Sequence, residues 1–216
     1  MNPKVFDVVV VGGGHAGVEA ALAAKRVGVS VALITMNAQT IGRMSCNPSI
    51  GGLAKGQMVR EIDALGGVMG LAADTTGTQY KLLNKSKGRA VWSPRAQVDK
   101  RKYEKFIKLY LHKKNITIIE GEVISPAINK DAVTGVNMSN NEKFLCNKLI
   151  LTNGTFLNGL LHIGDKKIPA GRMGEVRSEG ITEALTGLGL KSGRLKTGTP
   201  PRLFKKSIDW KHLHSI

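Results

Sequence analysis

The sequence predicts an α/β fold, a Rossmann-like doubly wound sheet, and three features of its first 35 residues predict it. Phe6 to Val11, with the apolar run Val8 to Val11 inside it, reads as a fully buried strand. It meets Gly12-Gly13-Gly14, after which His15 to Val27 spreads alanines over several faces, as a tightly packed helix does, and stops at Gly28. Ser30 to Thr35 then returns as a second apolar strand. Strand, glycine turn, helix and strand make a βαβ unit, whose parallel strands are joined by a right-handed crossover.

The later elements follow in order. Met36 to Gly52 is rich in Gly, Asn, Ser and Pro and reads as a long loop, a length usually kept for function. Leu53 to Leu65 has helical apolar spacing and ends at Gly66-Gly67. Gln97 to Lys114 reads as a helix with Tyr103, Phe106, Ile107, Tyr110 and Leu111 on one side and lysines and Arg101 on the others. Ile116 to Ile119, Ala132 to Met138 and Leu149 to Thr152 read as strands, the last meeting Asn153-Gly154-Thr155, where a ligand loop of βα type can form. Gly164 to Ser178 is glycine-rich, basic and irregular, Ile181 to Leu188 is a short helix stopped by Gly189, and Lys196 to Arg202 is a rigid proline-containing loop.

Composition narrows the class. A chain of 216 residues with 42% apolar side chains can bury a real core. Lys and Arg total 32 against 16 acids, and a formal charge of +16 attracts polyanions such as nucleic acid or an anionic membrane face. Cys46 and Cys146 lie far apart in no paired spacing, which argues against a disulfide framework or a zinc site and for a reducing, cytoplasmic setting. Val8 to Val11 is far shorter than the roughly 20 residues of a membrane span and leads into glycines, so neither a signal peptide nor an anchor is expected. No metal site is expected either.

Gly12, Gly14 and Gly17 satisfy G-x-G-x-x-G directly after a strand and at the opening of a helix. There the first glycine permits the tight turn, the second lets the backbone approach a pyrophosphate, and the third lets helix and strand pack. The helix amino terminus adds N–H groups and the positive end of its dipole. The carboxylate that would take a ribose 2′-OH about twenty residues on is missing, since the chain reads Thr35-Met36-Asn37-Ala38. Thr35 and Asn37 remain as neutral ribose partners, and the turn alone leaves NAD and FAD both open.

Further segments carry a resemblance. Met44 to Gly52, with Ser45-Cys46-Asn47-Pro48 inside it, Ala54-Lys55-Gly56, and Arg60 to Gly67 closely resemble the family of tRNA uridine 5-carboxymethylaminomethyl modification enzymes, MnmG or GidA. The likeness continues through Leu83 to Gly88, Arg95-Ala96-Gln97, Thr155-Phe156-Leu157, Ile163-Gly164, Gly171-Arg172 and Arg194 to Arg202, nearly the whole chain in order. Gln57, Lys81 and Arg89 depart from the family's usual His, Arg and Pro. The resemblance implies a FAD-binding domain of the two-dinucleotide flavoprotein type over residues 1–216, incomplete at its carboxy end and stopping near the family's inserted NADH-binding domain. It implies FAD on Gly12, Gly13, Gly14, His15, Ala16 and Gly17, and on a strand-end Val and a loop Ser that fall here on Val123 and Ser178. NADH and methylene-tetrahydrofolate as co-substrates, tRNA as substrate, a GTPase partner, MnmE, and a homodimer complete the implied system.

The side chains can be weighed against that implication. Carbon 5 of uridine is a poor nucleophile until something adds to carbon 6, and a thiolate adds and leaves reversibly. Cys46, ahead of a helix and near Lys55 and Arg60 in sequence, is the candidate catalytic residue, because helix amino termini and cations lower thiol pKa values. Cys146 reads as structural, and His15 as a residue that positions its backbone N–H at the turn. Arg89, Arg95, Arg101, Lys196 and Arg202 are candidate phosphate contacts, although each alone reads as a solvated surface charge. With only 5% aromatic residues, RNA is expected to dock by backbone and shape, its target base inserted into the flavin pocket. A disulfide reductase of the same fold lacks its C-x-x-C pair here. A folate-dependent tRNA uridine methyltransferase shares the glycine turn, but the Ser-Cys-Asn-Pro segment speaks against it.

Overall fold

The computed structural model describes residues 5–44, 47–172, 174–196, 198 and 203–212. Two predicted site residues, Cys46 and Arg202, lie outside the described residues.

In chain order the first elements are β1 (Val5–Val11), α1 (His15–Arg26), β2 (Val31–Thr35), β3 (Ser49–Gly51), α2 (Lys55–Ala64) and α3 (Met69–Thr76). There follow β4 (Gly77–Leu83), β5 (Ser93–Val98), α4 (Lys100–Lys113) and β6 (Thr117–Glu120). The last are β7 (Val123–Asn129), β8 (Ala132–Met138), β9 (Lys143–Leu151), β10 (Leu160–Ile163), β11 (Lys166–Pro169) and α5 (Ile181–Gly187). The main sheet has the order β6-β2-β1-β9-β8-β7, with β6, β2, β1 and β9 parallel and β8 and β7 antiparallel at one edge. A separate antiparallel sheet has the order β3-β5-β4, and β10 with β11 forms a hairpin.

Period-2 alternation explains why the central strands read as unbroken apolar runs. Val10 of β1 and Val31 and Leu33 of β2 point into one core with Val18 and Leu22 of α1 and Tyr103, Ile107 and Leu111 of α4. Val9 and Val11, with Ala32 and Ile34, point the other way, into a second core with Val123, Val136, Met138, Cys146 and Ile181. Both faces are covered along Val8 to Val11 and Val31 to Ile34, and those positions are apolar throughout. Each fully buried Val, Leu or Ile contributes about 2 kcal/mol.

The helix expected from Gln97 begins instead at Lys100. Gln97 lies opposite Ser49 in the β3–β5 ladder, and the Asp99 carboxylate accepts from the N–H groups of Arg101 and Lys102, both at 3.0 Å, which caps the helix there. The loop expected over Met36 to Gly52 contains β3 and a short 3-10 turn at Ala38–Thr40. The strand expected at Leu149 is the end of a longer one starting at Lys143, whose exposed Asn147 and Lys148 interrupt the apolar run. The stretch read as irregular, Gly164 to Ser178, holds β11, which pairs Lys166 with Ile163. Helix α3 gave no end signal of its own, because its cap comes from elsewhere. The buried Glu19 carboxylate of α1 accepts from Val68 N at 2.8 Å and Met69 N at 2.7 Å.

Candidate functional site

The glycine turn sits where β1 hands over to α1, at the carboxyl ends of the parallel strands. Gly12 has φ +111°, its N–H donates to Ile34 O at 2.8 Å, and a Cβ there would stand 2.8 Å from Thr152 Oγ1. A Cβ on Gly17 would overlap the carbonyl oxygen of Gly12 and lie 2.7 Å from Thr152 Oγ1. Thr152, just past β9, fastens this corner by donating its hydroxyl to Val11 O at 2.7 Å. Gly14 differs from both, since nothing lies within 4 Å of a Cβ placed on it. Two glycines are thus required by the protein's own backbone, and the third leaves space outside it.

That space faces a helix terminus with no internal partner. Gly14 is the N-cap of α1 and offers no side-chain acceptor, and the first turn carries no acid. Orphan N–H groups at the positive end of a helix dipole are an anion site. His15 is half-buried, its ring 5.6 Å from that of Tyr103, and burial first and the Lys55 charge second depress its pKa to about 4. It is neutral near pH 7. The Tyr103 hydroxyl is buried without a hydrogen-bond partner among the described residues, and its pKa is raised by burial and by Glu19.

Loops from four other points in the chain are linked to the turn or to one another. Gly42 N donates to Gly13 O at 2.9 Å, which ties the loop leading toward position 46 to the turn. Arg43 reaches Glu175 at 3.3 Å and Glu104 at 3.8 Å, linking that loop to the segment before Ser178. Ser178 bridges Leu157, and its carbonyl accepts from Asn158 N at 2.8 Å, directly after the β9 loop. Glu179 N donates to Glu122 Oε1 at 2.9 Å, which brings the Ser178 segment beside the β6–β7 turn and Val123. The Val123 side chain is in the second core, so only its main chain is available to a ligand. Asn153 Oδ1, one residue beyond Thr152, is buried without a hydrogen-bond partner among the described residues.

The predicted cations divide. Arg95 of β5 lies opposite Lys81 of β4, and Arg89 stands in the connection between these strands, its guanidinium 5.7 Å from the Trp92 ring. Like charges facing across strands are unfavourable in a free sheet. Residues 75–98 carry five cations, Lys81, Lys85, Lys87, Arg89 and Arg95, and no acid. That acid-free stretch was the signal by which Lys81, Lys85 and Lys87 could have been found. Arg95 and Lys81 also line a groove of about 290 Å³ with Arg60, Asp63 and Asp74. Arg101 is exposed in the first turn of α4, and Lys196 is exposed beyond α5. Cys146 is buried in β9 and its thiol pKa is raised by burial, as a structural cysteine's is.

Comparison with known proteins gives the family. A model described as Glucose inhibited division protein A matches residues 7–215. The chain is 52% identical over 209 residues to the tRNA uridine 5-carboxymethylaminomethyl modification enzyme MnmG of Aquifex aeolicus, covering 96% of this chain and 34% of that protein. A protein of the same name from Protochlamydia amoebophila is 51% identical, with 96% and 33% covered. The crystal structure of Aquifex aeolicus GidA superposes with a TM-score of 0.88 at 51% identity, over 97% of this chain and 35% of that one. The GidA-related protein from Thermus thermophilus, at 18% identity and a TM-score of 0.60, shares the fold. The chain spans about a third of the length of the curated relatives it matches.

Proposed function

The chain belongs to the glucose inhibited division protein A family, and from that premise we propose that residues 1–216 form the FAD-binding amino-terminal domain of a tRNA-modifying flavoenzyme. The reaction attaches a carboxymethylaminomethyl or aminomethyl group to carbon 5 of the wobble uridine. The observation that carries this reading is the uncapped amino terminus of α1 behind an open Gly14, in a chain half identical to proteins named for that modification.

The residues fit a dinucleotide. Gly12 to Gly17 would hold the pyrophosphate through main-chain N–H groups, with Val123 contributing backbone and Ser178 its loop. FAD supplies the two-electron chemistry there when bound, with NADH as its reductant and methylene-tetrahydrofolate as one-carbon donor in the complete enzyme. Cys46 is the nucleophile: its thiolate adds to carbon 6 of uridine, makes carbon 5 nucleophilic, and leaves as carbon 5 loses its proton. His15, neutral near pH 7, contributes its main-chain N–H to the turn. The face around Lys81, Arg89, Trp92 and Arg95 meets tRNA phosphates; Arg101, Lys196 and Arg202 serve the same role separately. A GTPase partner, MnmE, a homodimer and a cytoplasmic setting belong to the same proposal. Among the described residues no helix is long and apolar enough to cross a membrane.

The test is reconstitution with FAD, then gel filtration and an absorbance spectrum. Flavin co-eluting at about one equivalent per chain is expected, and a colourless protein after saturation with FAD would sink the cofactor assignment. The tRNA half is read separately, as restored wobble-uridine modification by a complete enzyme carrying this domain.

A further inference from the structure

A carboxylate at the end of the second strand is the usual partner of a dinucleotide's adenosine ribose, and Thr35 to Ala38 contain none. Of the neutral alternatives, one is engaged and the other is buried. Asn37 Oδ1 accepts from Gln39 N at 2.8 Å to cap the 3-10 turn. Thr35 is buried, its Oγ1 packed 2.7 Å from where a Cβ on Gly13 would stand.

A carboxylate nevertheless stands at that point, brought by another strand. β6 pairs with β2 in a register that sets Glu120 opposite Thr35, and Gly121 N donates to Thr35 O at 2.8 Å. Glu120 Oε2 accepts from Ala38 N, also at 2.8 Å, so the side chain is held across the carboxyl end of β2. The residue is exposed, and its second oxygen, Oε1, has no hydrogen-bond or ion-pair partner among the described residues. In a chain with 32 cations to 16 acids, an oriented carboxylate left without a cation is a placed group.

We infer that Glu120 is the ribose-binding acid of this domain, with Oε1 accepting from the adenosine 2′-OH while Oε2 stays on Ala38 N. This rests on the FAD reading above. The residue selects as well as binds: the same charge repels a 2′-phosphate, so the site takes FAD or another free-ribose adenosine nucleotide and rejects 2′-phosphorylated ones.

The measurement is a fluorescence titration of the full chain, stripped of flavin, with FAD and with FAD whose adenosine ribose is 2′-deoxy. Wild type should bind FAD about tenfold tighter than the deoxy analogue, the worth of one hydrogen bond to a charged acceptor. Glu120→Ala should bind the two alike. Glu120→Gln, which keeps an acceptor for Ala38 N, should retain a reduced preference and guards against a merely misfolded alanine variant. Equal binding of both ligands by wild type, or a preference that survives in Glu120→Ala, overturns the inference and leaves the FAD site standing. Failure of wild type to bind either ligand overturns both.

Discussion

Substitution at two glycines three residues apart should separate ligand binding from folding. A Cβ on Gly14 meets nothing within 4 Å, and its φ of −74° with ψ of −175° is open to any L residue, so Gly14→Val adds no strain within the protein. Losing glycine at an N-cap costs at most about 1 kcal/mol, which in a domain of this size lowers Tm by roughly 2–4 °C. The same side chain fills the space through which the pyrophosphate reaches the helix terminus, so FAD affinity should fall at least about a hundredfold, near 2.7 kcal/mol. Gly17→Ala reverses the pattern. Its Cβ overlaps backbone, the Gly12 carbonyl, which cannot rotate away as a side chain could. Overpacking of that kind costs about 3 kcal/mol, roughly 6–12 °C in Tm. Differential scanning fluorimetry without ligand and a flavin titration give the two readouts. Gly14→Val holding FAD within twofold of wild type, or Gly17→Ala melting like wild type, would refute the assignment of the two roles.

Three other outcomes are expected. Cys46→Ser in the complete enzyme should abolish uridine modification while leaving the flavin spectrum intact, because a hydroxyl is too poor a nucleophile and leaving group; normal turnover removes Cys46 from the mechanism. Binding of tRNA should weaken linearly in log–log form as salt rises, and Lys81→Ala or Arg95→Ala should each reduce the slope by about one counterion, so a flat salt response or unchanged slopes in both variants would count against the β4–β5 face. For His15 the sign follows from its depressed pKa: between about 4 and 6.5 the unfolded chain binds the extra proton and the folded chain does not. Stability should therefore fall as pH drops through that window, measured as the urea midpoint, and the slope should shrink in His15→Gln.

The βαβ unit was legible because its signals are local. Val8 to Val11, Gly12 to Gly17 and Ala32 to Ile34 each declare their environment through their own composition, since a strand covered on both faces admits nothing polar. The β3-β5-β4 sheet was not legible for the opposite reason. Tyr80 and Lys81 of β4 are exposed and Gly77 opens it, so no alternation survives, and Gln97 looks helical until Ser49 is seen opposite it. Helix α3 hid because its N-terminal acceptor, Glu19, is about fifty positions away in sequence.

The same distinction governs the site. A glycine requirement is imposed by the backbone within a few residues and leaves a pattern in the sequence, whereas a side chain that meets a ligand can come from any strand end bordering the crevice. In an open parallel sheet those ends are neighbours in space and strangers in sequence: in the order β6-β2-β1-β9, Glu120 at β6 stands beside Thr35 at β2, and Thr152 just after β9 stands beside the end of β1. A missing acid twenty residues past the turn is therefore not a missing function. The position is defined by the strand end it crosses, and β6, which borders β2, can fill it as readily as β2 itself. Reading the fingerprint by sequence spacing tests only one of the two strands able to supply the charge, and the hydrogen bond from Ala38 N to Glu120 identifies the other.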